Sequence, residues 1–199
     1  MWYIRMDAGW SGSRMVDKVQ IQPRRPVYPT PVGLITSVDA KGRPNIIAIG
    51  EVFNLSIVQP VWVGISVRAA TYSHGLITAQ GEFVVNLPTA DLLDAVLGCG
   101  SCSGRDGIDK FQRFGLTPRP AMRVKPPLIE ECPVNLECQL VGVHPVGDHD
   151  LFIGNVVTQH VNKEIVSAHG EIDAGKLDTI IMMPKSFWRM GDKLGAFRI

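Results

Sequence analysis

The sequence predicts a mainly β protein, an antiparallel β-barrel with short helical insertions. Most of its apolar segments are short and end at glycine or proline, which is typical of strands joined by turns. Residues 134–140 alternate between apolar and polar side chains, the period of a strand with one polar face. Strands of this kind pair with their sequence neighbours in an antiparallel barrel, whereas a doubly wound sheet places helices between parallel strands.

The first half of the chain is predicted to be strand-rich. Residues 31–50 predict two strands joined by the polar turn "DAKGRPN". The later elements of this half are predicted, in order, as strands over 51–58 and 61–67, a helix over 73–80 and a strand over 82–88. Gly81 ends the helix, and Pro88 ends the last strand.

Two helices and two long strands are predicted in the second half. Thr89 can N-cap a helix over 89–98, because its hydroxyl can accept a hydrogen bond from an unpaired amide of the first turn. The apolar face of that helix is predicted to contain Leu92, Leu93, Val96 and Leu97. The remaining predictions are a short helix within 103–115, strands over 134–147 and 149–162 joined by "PVGDHD", and a less regular tail from Lys163.

Composition excludes several classes of protein. The chain has 199 residues and a net charge of +1, without a basic run, so we expect no nucleic-acid partner. No apolar run approaches the roughly 20 residues that span a bilayer, and residues 1–15 lack the apolar core of a signal peptide. We therefore expect a soluble, cytoplasmic protein. Its predicted organisation is a lead-in over 1–27, partly disordered, and one domain over 28–199 with an irregular C-terminal extension.

Two glycine-rich segments resemble nucleotide-binding motifs, but neither matches its motif fully. "GEIDAGKL" has Leu177 where a P-loop requires serine or threonine to hold magnesium. "GCGSCSG" has its last glycine one residue late for a dinucleotide fingerprint, and no βαβ unit surrounds it. ATP binding by a P-loop and NAD binding by a Rossmann fold are both unsupported.

The four cysteines do not predict a disulfide scaffold in a chain of this size. Cys99 and Cys102 form a C-x-x-C motif, which is compatible with a redox dithiol or with half of a zinc site. Cys132 and Cys138 are spaced too widely to complete a typical zinc site. We expect reduced thiols that bind no metal.

The segment "SVRAATYSH" leaves two interpretations open. Arg68 at a strand end, the hydroxyls of Thr71 and Ser73, and the amides of a helix beginning at Ser73 are together the donors that hold a phosphate. The same residues also fit an ordinary helix N-cap beside a surface arginine. The residue types alone do not separate these interpretations.

The order of segments along the chain carries a resemblance. The series "YPTPVGLITSVDAKGRPNI", "ISVRAATYSHGLI", "GEFVVNLP", "CGSCSGRDGIDKF", "PLIEECPVNLEC" and "GDHDLFIGNVV" resembles the flavin reductase-like, FMN-binding split-barrel proteins of the flavoredoxin type. The resemblance extends from residue 28 to residue 161, with a weaker similarity in "WRMGDKLGAF". It implies an FMN-binding split barrel with Greek-key connections.

The resemblance also implies a set of FMN-binding residues. The FMN phosphate would be held by the turn that contains Arg68, Tyr72, Ser73 and His74. The flavin ring would face the strand segment Ala48, Ile49 and Gly50, and the cofactor would further contact Ser66, Val67, Lys110 and Phe111. Glu51 departs from the family pattern. A carboxylate near a flavin would disfavour the anionic reduced form of the flavin.

The implied reaction is a flavin-dependent oxidation and reduction. NADH or NADPH would bind at the turn containing Asp148 and His149 and deliver hydride, and the electrons would pass to free flavin, a metal ion or a partner protein. Trp188 either covers the flavin or packs the tail. The alternatives are an FMN electron carrier with little NAD(P)H activity, and a non-catalytic barrel that binds haem or another small ligand. The resemblance implies a homodimer.

Overall fold

The computed structural model describes residues 17–195. Residues 17–27 are exposed and contain no helix or strand; the first 16 residues of the expected lead-in lie outside the described part. In chain order the helices are α1 (Tyr72–Gln80), α2 (Leu93–Ser101) and α3 (Lys110–Arg113). The strands are β1 (Thr30–Pro31), β2 (Gly33–Val38), β3 (Pro44–Ile49), β4 (Val52–Ser56), β5 (Trp62–Arg68), β6 (Glu82–Leu87), β7 (Pro118–Arg119), β8 (Leu128–Ile129), β9 (Val134–Val146), β10 (His149–Val161), β11 (Ile180–Met183) and β12 (Ser186–Arg189).

Seven strands form one antiparallel sheet in the order β3-β2-β6-β9-β10-β5-β4. Strand β3, at one edge, also contacts β5 near the other edge, so the sheet curls round towards itself. The two long strands β9 and β10 form a hairpin that pairs from Val146 and His149 to Val134 and Val161. The predicted antiparallel, mainly β fold is confirmed, and no helix within residues 17–195 has the length and apolar character needed to cross a bilayer.

Two apolar clusters lie on opposite faces of this curved sheet. One fills the concave side with side chains such as Ile35, Ile65 and Phe83. The other joins β2 and β3 to the helices through residues such as Val96 and Phe111. Burial of this apolar surface is the main stabilising contribution to the fold. It also holds β3, β5 and α2 in fixed positions relative to one another.

Two of the three residues on the polar face predicted for β9 are buried, whereas the third, Gln139, is exposed. Glu137 is completely buried and Asn135 is 6% exposed. The Glu137 carboxylate accepts hydrogen bonds from the backbone amides of Met122 and Arg123 and contacts His160 Nε2 at 2.6 Å. Burial alone would raise the pKa of Glu137, but these hydrogen bonds outweigh it and hold that pKa below 4.5. The predicted alternation of apolar and polar residues is correct, but the loop over 121–127 covers Glu137.

Helix α2 begins later than the sequence indicates. A 3₁₀ turn over Ala90–Leu92 comes first, and the Thr89 hydroxyl makes no capping hydrogen bond. The buried residues of α2 are Ala95, Val96 and Cys99. The predicted face is therefore partly wrong, since Leu97 is 48% exposed.

The C-terminal tail is more regular than expected. Strands β11 and β12 form a hairpin, and β1 pairs with β11 through Thr30 and Met182. The turn between the two strands requires a positive φ of 60° at Lys185, which is uncommon for a residue with a side chain. The segment over 103–115 is less regular than expected, since only Lys110–Arg113 is α-helical there.

We predict that Glu137→Gln lowers the free energy of unfolding by about 2–4 kcal/mol, because an amide cannot accept all the hydrogen bonds that the buried carboxylate accepts. Urea unfolding at neutral pH measures this loss. The pKa of Glu137 is lowered in the folded state, so its stabilisation is present above pH 4.5 and is lost as the pH falls through the folded-state pKa. The difference between wild type and variant should therefore shrink in acid.

The matched control for this measurement is Glu130→Gln. Glu130 forms a surface ion pair with Arg119 in which both side chains are about half exposed. Such pairs contribute roughly 0–1 kcal/mol. Equal losses in the two variants would show that the buried carboxylate has no special role.

Candidate functional site

One cavity of the described residues lies where the ends of β3 and β5 approach α2. Its volume is about 510 Å³, within the range of small-molecule sites. One wall is the strand segment Ala48, Ile49 and Gly50, and other walls come from Val96 and Phe187. The cavity therefore offers a largely apolar surface with backbone groups along one side.

A second cavity of about 290 Å³ adjoins the first. The two share Ile47, Thr71 and Gly100 in their walls. The second cavity is more polar, because hydroxyl and cationic side chains gather around it: Thr71, Tyr72, Ser73, Ser103, Arg105 and Lys110. The joined space thus has an apolar compartment and a compartment rich in hydrogen-bond donors.

The turn between β5 and α1 separates the two compartments. Thr71 is the N-cap of α1, since its Oγ1 accepts a hydrogen bond from the backbone amide of His74 at 3.3 Å. The same hydroxyl donates to the carbonyl of Arg68 at 2.9 Å, which fixes the turn. The helix begins at Tyr72, one residue before the predicted start, and ends at Gly81 as predicted, with a φ of 70° there.

Arg68 stands at the end of β5 and lines the larger cavity. Its side chain forms no ion pair with any residue of the described part of the chain. The N-cap interpretation of "SVRAATYSH" is correct for Thr71, but it does not use the guanidinium of Arg68. A cation and a helix N-terminus therefore remain beside the cavities as donors for an anion. Ser66 also lines the larger cavity, whereas Val67 points into the core.

Ser73 and Asn45 join the turn to β3. Ser73 is 2% exposed, and its Oγ accepts a hydrogen bond of 2.7 Å from Asn45 Nδ2. Asn45 borders the second cavity, and its Oδ1 has no partner among the described residues. Sequence analysis missed Asn45, because an asparagine beside a proline in a turn is ordinary turn chemistry.

His74 lies outside both cavities. Its Nε2 is 2.8 Å from the Asp150 carboxylate on β10, and its ring packs edge-on against Phe152 at 4.9 Å. His74 therefore connects the first turn of α1 to β10. In this arrangement it supports the turn and does not border the cavities.

Lys110 and Phe111 are more buried than ligand-binding residues usually are. Lys110 Nζ donates to the carbonyls of Ile46 at 2.6 Å and Cys99 at 2.9 Å, and the residue is 3% exposed. Burial lowers the pKa of its amine. Phe111 packs in the apolar cluster under the helices. Lys110 nevertheless borders the second cavity and places a buried cation next to it.

The hairpin turn after β9 reaches the larger cavity through His149. Strand pairing places His149 opposite Arg68, and His149 lines the cavity. Its Nδ1 lies 2.9 Å from Asp148 Oδ1. The hydrogen bond from His149 holds the pKa of Asp148 below its usual value, and Arg68 adds a smaller electrostatic contribution. The imidazole of His149 is thus oriented by its sequence neighbour Asp148.

Trp188 does not line the cavity. Its side chain is 60% exposed, and its indole nitrogen donates to Ser186 Oγ at 2.9 Å. Phe187 lines the cavity instead, because neighbouring side chains of a strand point to opposite faces. Sequence analysis named Trp188 and left open whether it covers the flavin or packs the tail, and it did not name Phe187.

Two charged residues at the cavity form an ion pair that the sequence did not reveal. Arg25 and Glu51 both line the larger cavity, and Arg25 Nη2 is bonded to Glu51 Oε1. Arg25 Nη1 also contacts the sulfur of Met182 at 3.3 Å. Glu51, the departure from the family pattern, therefore has a partner from a segment that lacks any secondary-structure signal.

The cysteines are free and mostly buried. Cys99 and Cys102 border the second cavity. Burial raises the pKa of Cys99 to about 11, and it also raises the pKa of Cys132 and Cys138. A thiol with a raised pKa is a poor nucleophile at neutral pH. Within residues 17–195 there is no group of three or more potential metal ligands.

Comparisons with known proteins agree on one family. A model of the flavin reductase like domain matches residues 24–176. The flavoredoxin of Desulfovibrio vulgaris (Miyazaki F) has 30% sequence identity and a TM-score of 0.82, covering 90% of this chain and 97% of its own. A flavin reductase of Pseudomonas putida is 33% identical over 69% of this chain and 76% of its own length. An NADH:riboflavin 5′-phosphate oxidoreductase of Streptomyces pristinaespiralis is 30% identical over 64% of this chain and 69% of its own length.

Proposed function

Because the chain belongs to the flavin reductase-like family, we propose that it binds FMN in the two joined cavities and acts as an NAD(P)H-dependent oxidoreductase. The electrons would pass to free flavin, a metal ion or a partner protein. The observation that carries this proposal is the junction of an apolar compartment with a donor-rich compartment at the N-terminus of α1.

The larger cavity fits a planar, largely apolar ring. Backbone groups of Ala48, Ile49 and Gly50 supply donors and acceptors along one edge, while Val96 and Phe187 supply apolar contacts. A bound flavin would accept the hydride and pass on the electrons, and no side chain of the site can perform this chemistry. The chain's own task is to bind the ring, to orient it and to exclude water from one face.

The second cavity fits a phosphate. Arg68 lines the adjoining part of the larger cavity and is free of carboxylate partners within residues 17–195, and the first amides of α1 lack intrahelical acceptors. Lys110 uses two of its three N–H groups on carbonyls, so one N–H remains for a ligand at this cavity. The positive potential at this end favours FMN over riboflavin, which lacks the phosphate.

The turn with Asp148 and His149 is the proposed contact for the nicotinamide. If Nδ1–H of His149 donates to Asp148, the neutral imidazole leaves Nε2 as an acceptor for a carboxamide N–H. A site without a Rossmann fold relies on stacking and on a few contacts of this kind. We therefore expect the coenzyme to bind weakly and to leave quickly.

The similarity to flavoredoxin favours a second candidate function. That protein covers nearly the whole of this chain, and its name describes an electron carrier. In this alternative the chain holds FMN and exchanges electrons with partners, but NAD(P)H reduces it slowly. Stopped-flow reduction of the FMN-loaded protein by NADH and by NADPH separates the two functions.

We predict that Arg68→Ala weakens FMN binding by about tenfold or more, since a charge-assisted hydrogen bond contributes roughly 1.5–3 kcal/mol. Riboflavin binding should change little. Fluorescence titration with both ligands measures the difference. Arg119→Ala is the control, because Arg119 is exposed and lies away from both cavities. Equal losses for FMN and riboflavin would contradict the assignment of Arg68 to the phosphate.

We predict that His149→Ala slows reduction of bound FMN by NAD(P)H by about five- to thirtyfold, which corresponds to a contact of roughly 1–2 kcal/mol. FMN affinity and reduction by dithionite should stay unchanged. His144→Ala, an exposed residue on the neighbouring strand of the same hairpin, is the matched control. If NAD(P)H reduces the FMN of the His149→Ala variant at the wild-type rate, His149 is only a solvated turn residue.

We also propose a homodimer. The edge strand β4 and the turn after it expose four apolar side chains in close succession: Phe53, Leu55, Ile57 and Val58. An exposed apolar edge is usually covered in a stable protein. Sedimentation should show twice the chain mass of 21.8 kDa, and Ile57→Asp should shift the species towards monomer. A concentration-independent monomer with full FMN content would reject the dimer.

A further inference from the structure

The Arg25–Glu51 ion pair lies at the wall that is proposed to hold the flavin ring. Glu51 directly follows the segment Ala48–Gly50, and both charged residues line the larger cavity. Met182, which contacts Arg25, lies against Gly50, where an added Cβ would come within 2.0 Å of the methionine methyl. The ion pair and the proposed ring wall are therefore parts of one packed unit.

Arg25 reaches this position from an exposed segment. It is the residue of 17–27 that lines the cavity, and its side chain stays 46% exposed, against 28% for Glu51. Its backbone has a φ of 41°, in the left-handed region that residues with a side chain rarely adopt. Such a conformation persists where the surroundings hold it in place. Here those surroundings are Glu51 and Met182, so the chain keeps an unfavourable backbone in order to place this guanidinium.

The charge of Glu51 matters for a flavin because of what reduction does. Transfer of one hydride to a flavin adds one negative charge to the ring system unless a proton follows. An uncompensated carboxylate in the same cavity would repel that charge, and the repulsion is strong where water is partly excluded. The ionisable residues that line this cavity are Arg25, Glu51, Arg68 and His149. Of these, Arg25 is the one bonded to the carboxylate.

We propose that Arg25 is the counter-charge of Glu51, and that the pair sets how strongly the site prefers reduced over oxidised flavin. This inference rests on the proposed flavin site. Arg25 and Glu51 act as positioning residues, because neither is required to exchange a proton or an electron. Removing the cation leaves a bare carboxylate that disfavours the reduced flavin, whereas removing the carboxylate leaves a bare cation that favours it.

A double-mutant cycle on the FMN-loaded full chain tests the inference. The variants are Arg25→Gln, Glu51→Gln and the double variant, and the readout is the equilibrium midpoint potential of the bound flavin. We expect Arg25→Gln to weaken reduced relative to oxidised FMN by about tenfold, which is a fall of about 30 mV for a two-electron couple. Glu51→Gln should shift the potential the other way, and the double variant should return to within about twofold of the wild-type affinity ratio.

Two further variants separate charge from structure. Arg25→Lys keeps the positive charge but loses the planar fork, so its potential should stay near that of wild type. If it behaves like Arg25→Gln, the role of Arg25 is structural and the inference is overturned. Arg119→Gln removes a cation from the exposed pair with Glu130 and should leave the potential unchanged. Shifts of the same sign in the Arg25→Gln and Glu51→Gln variants, or no shift in either, also overturn the inference.

Flavin binding by the wild type distinguishes this inference from the proposed function. If the wild-type chain does not bind oxidised FMN in a fluorescence titration, the proposed function and this inference both fail. If it binds FMN and the potentials of all variants equal that of wild type, only this inference fails. Thermal melting of each variant shows whether the pair also contributes to folding.

Discussion

Strand β10 lies between β9 and β5, and its register against β5 places His149 opposite Arg68. The rest of the candidate site depends on this pairing. It brings the hairpin turn of β9 and β10 to the end of β5, where the chain turns into α1. The bond between His74 and Asp150 adds a second connection, from the first turn of α1 to β10. Two segments about 80 residues apart thereby form one wall, and its geometry is as rigid as the ladder of hydrogen bonds beneath it.

Buried polar groups in this protein hold loops and helices in place. Lys110 fastens α3 to the backbone of β3 and α2, Ser73 fastens α1 to β3 through Asn45, and Glu137 fastens the loop over 121–127 to β9. Each group would be costly to bury without its partners. The bonds of Lys110 and Ser73 lie at the wall of the second cavity and hold its shape, which favours a ligand that fits a preformed site.

The two arginines of the larger cavity have different electrostatic roles. Arg25 is neutralised by Glu51, whereas Arg68 has no carboxylate partner among the described residues. An anionic group is therefore attracted to the end of the cavity near Arg68 and α1. The part of the cavity beside Arg25 and Glu51 is close to neutral, which suits a ring whose charge changes on reduction. This separation of charge gives the cavity a direction along which a flavin can be oriented.

The sequence by itself determined the mainly antiparallel fold, the capped turn after Arg68 and the position of His149 beside Asp148. Those features depend on local periodicity, on turn chemistry and on adjacent residues, which a sequence displays directly. The tertiary structure decided that Phe187 and not Trp188 lines the cavity, that Glu137 is buried and that Arg25 pairs with Glu51. These outcomes depend on which distant segment covers a given face, and that choice is made by packing and charge pairing between residues far apart in the chain.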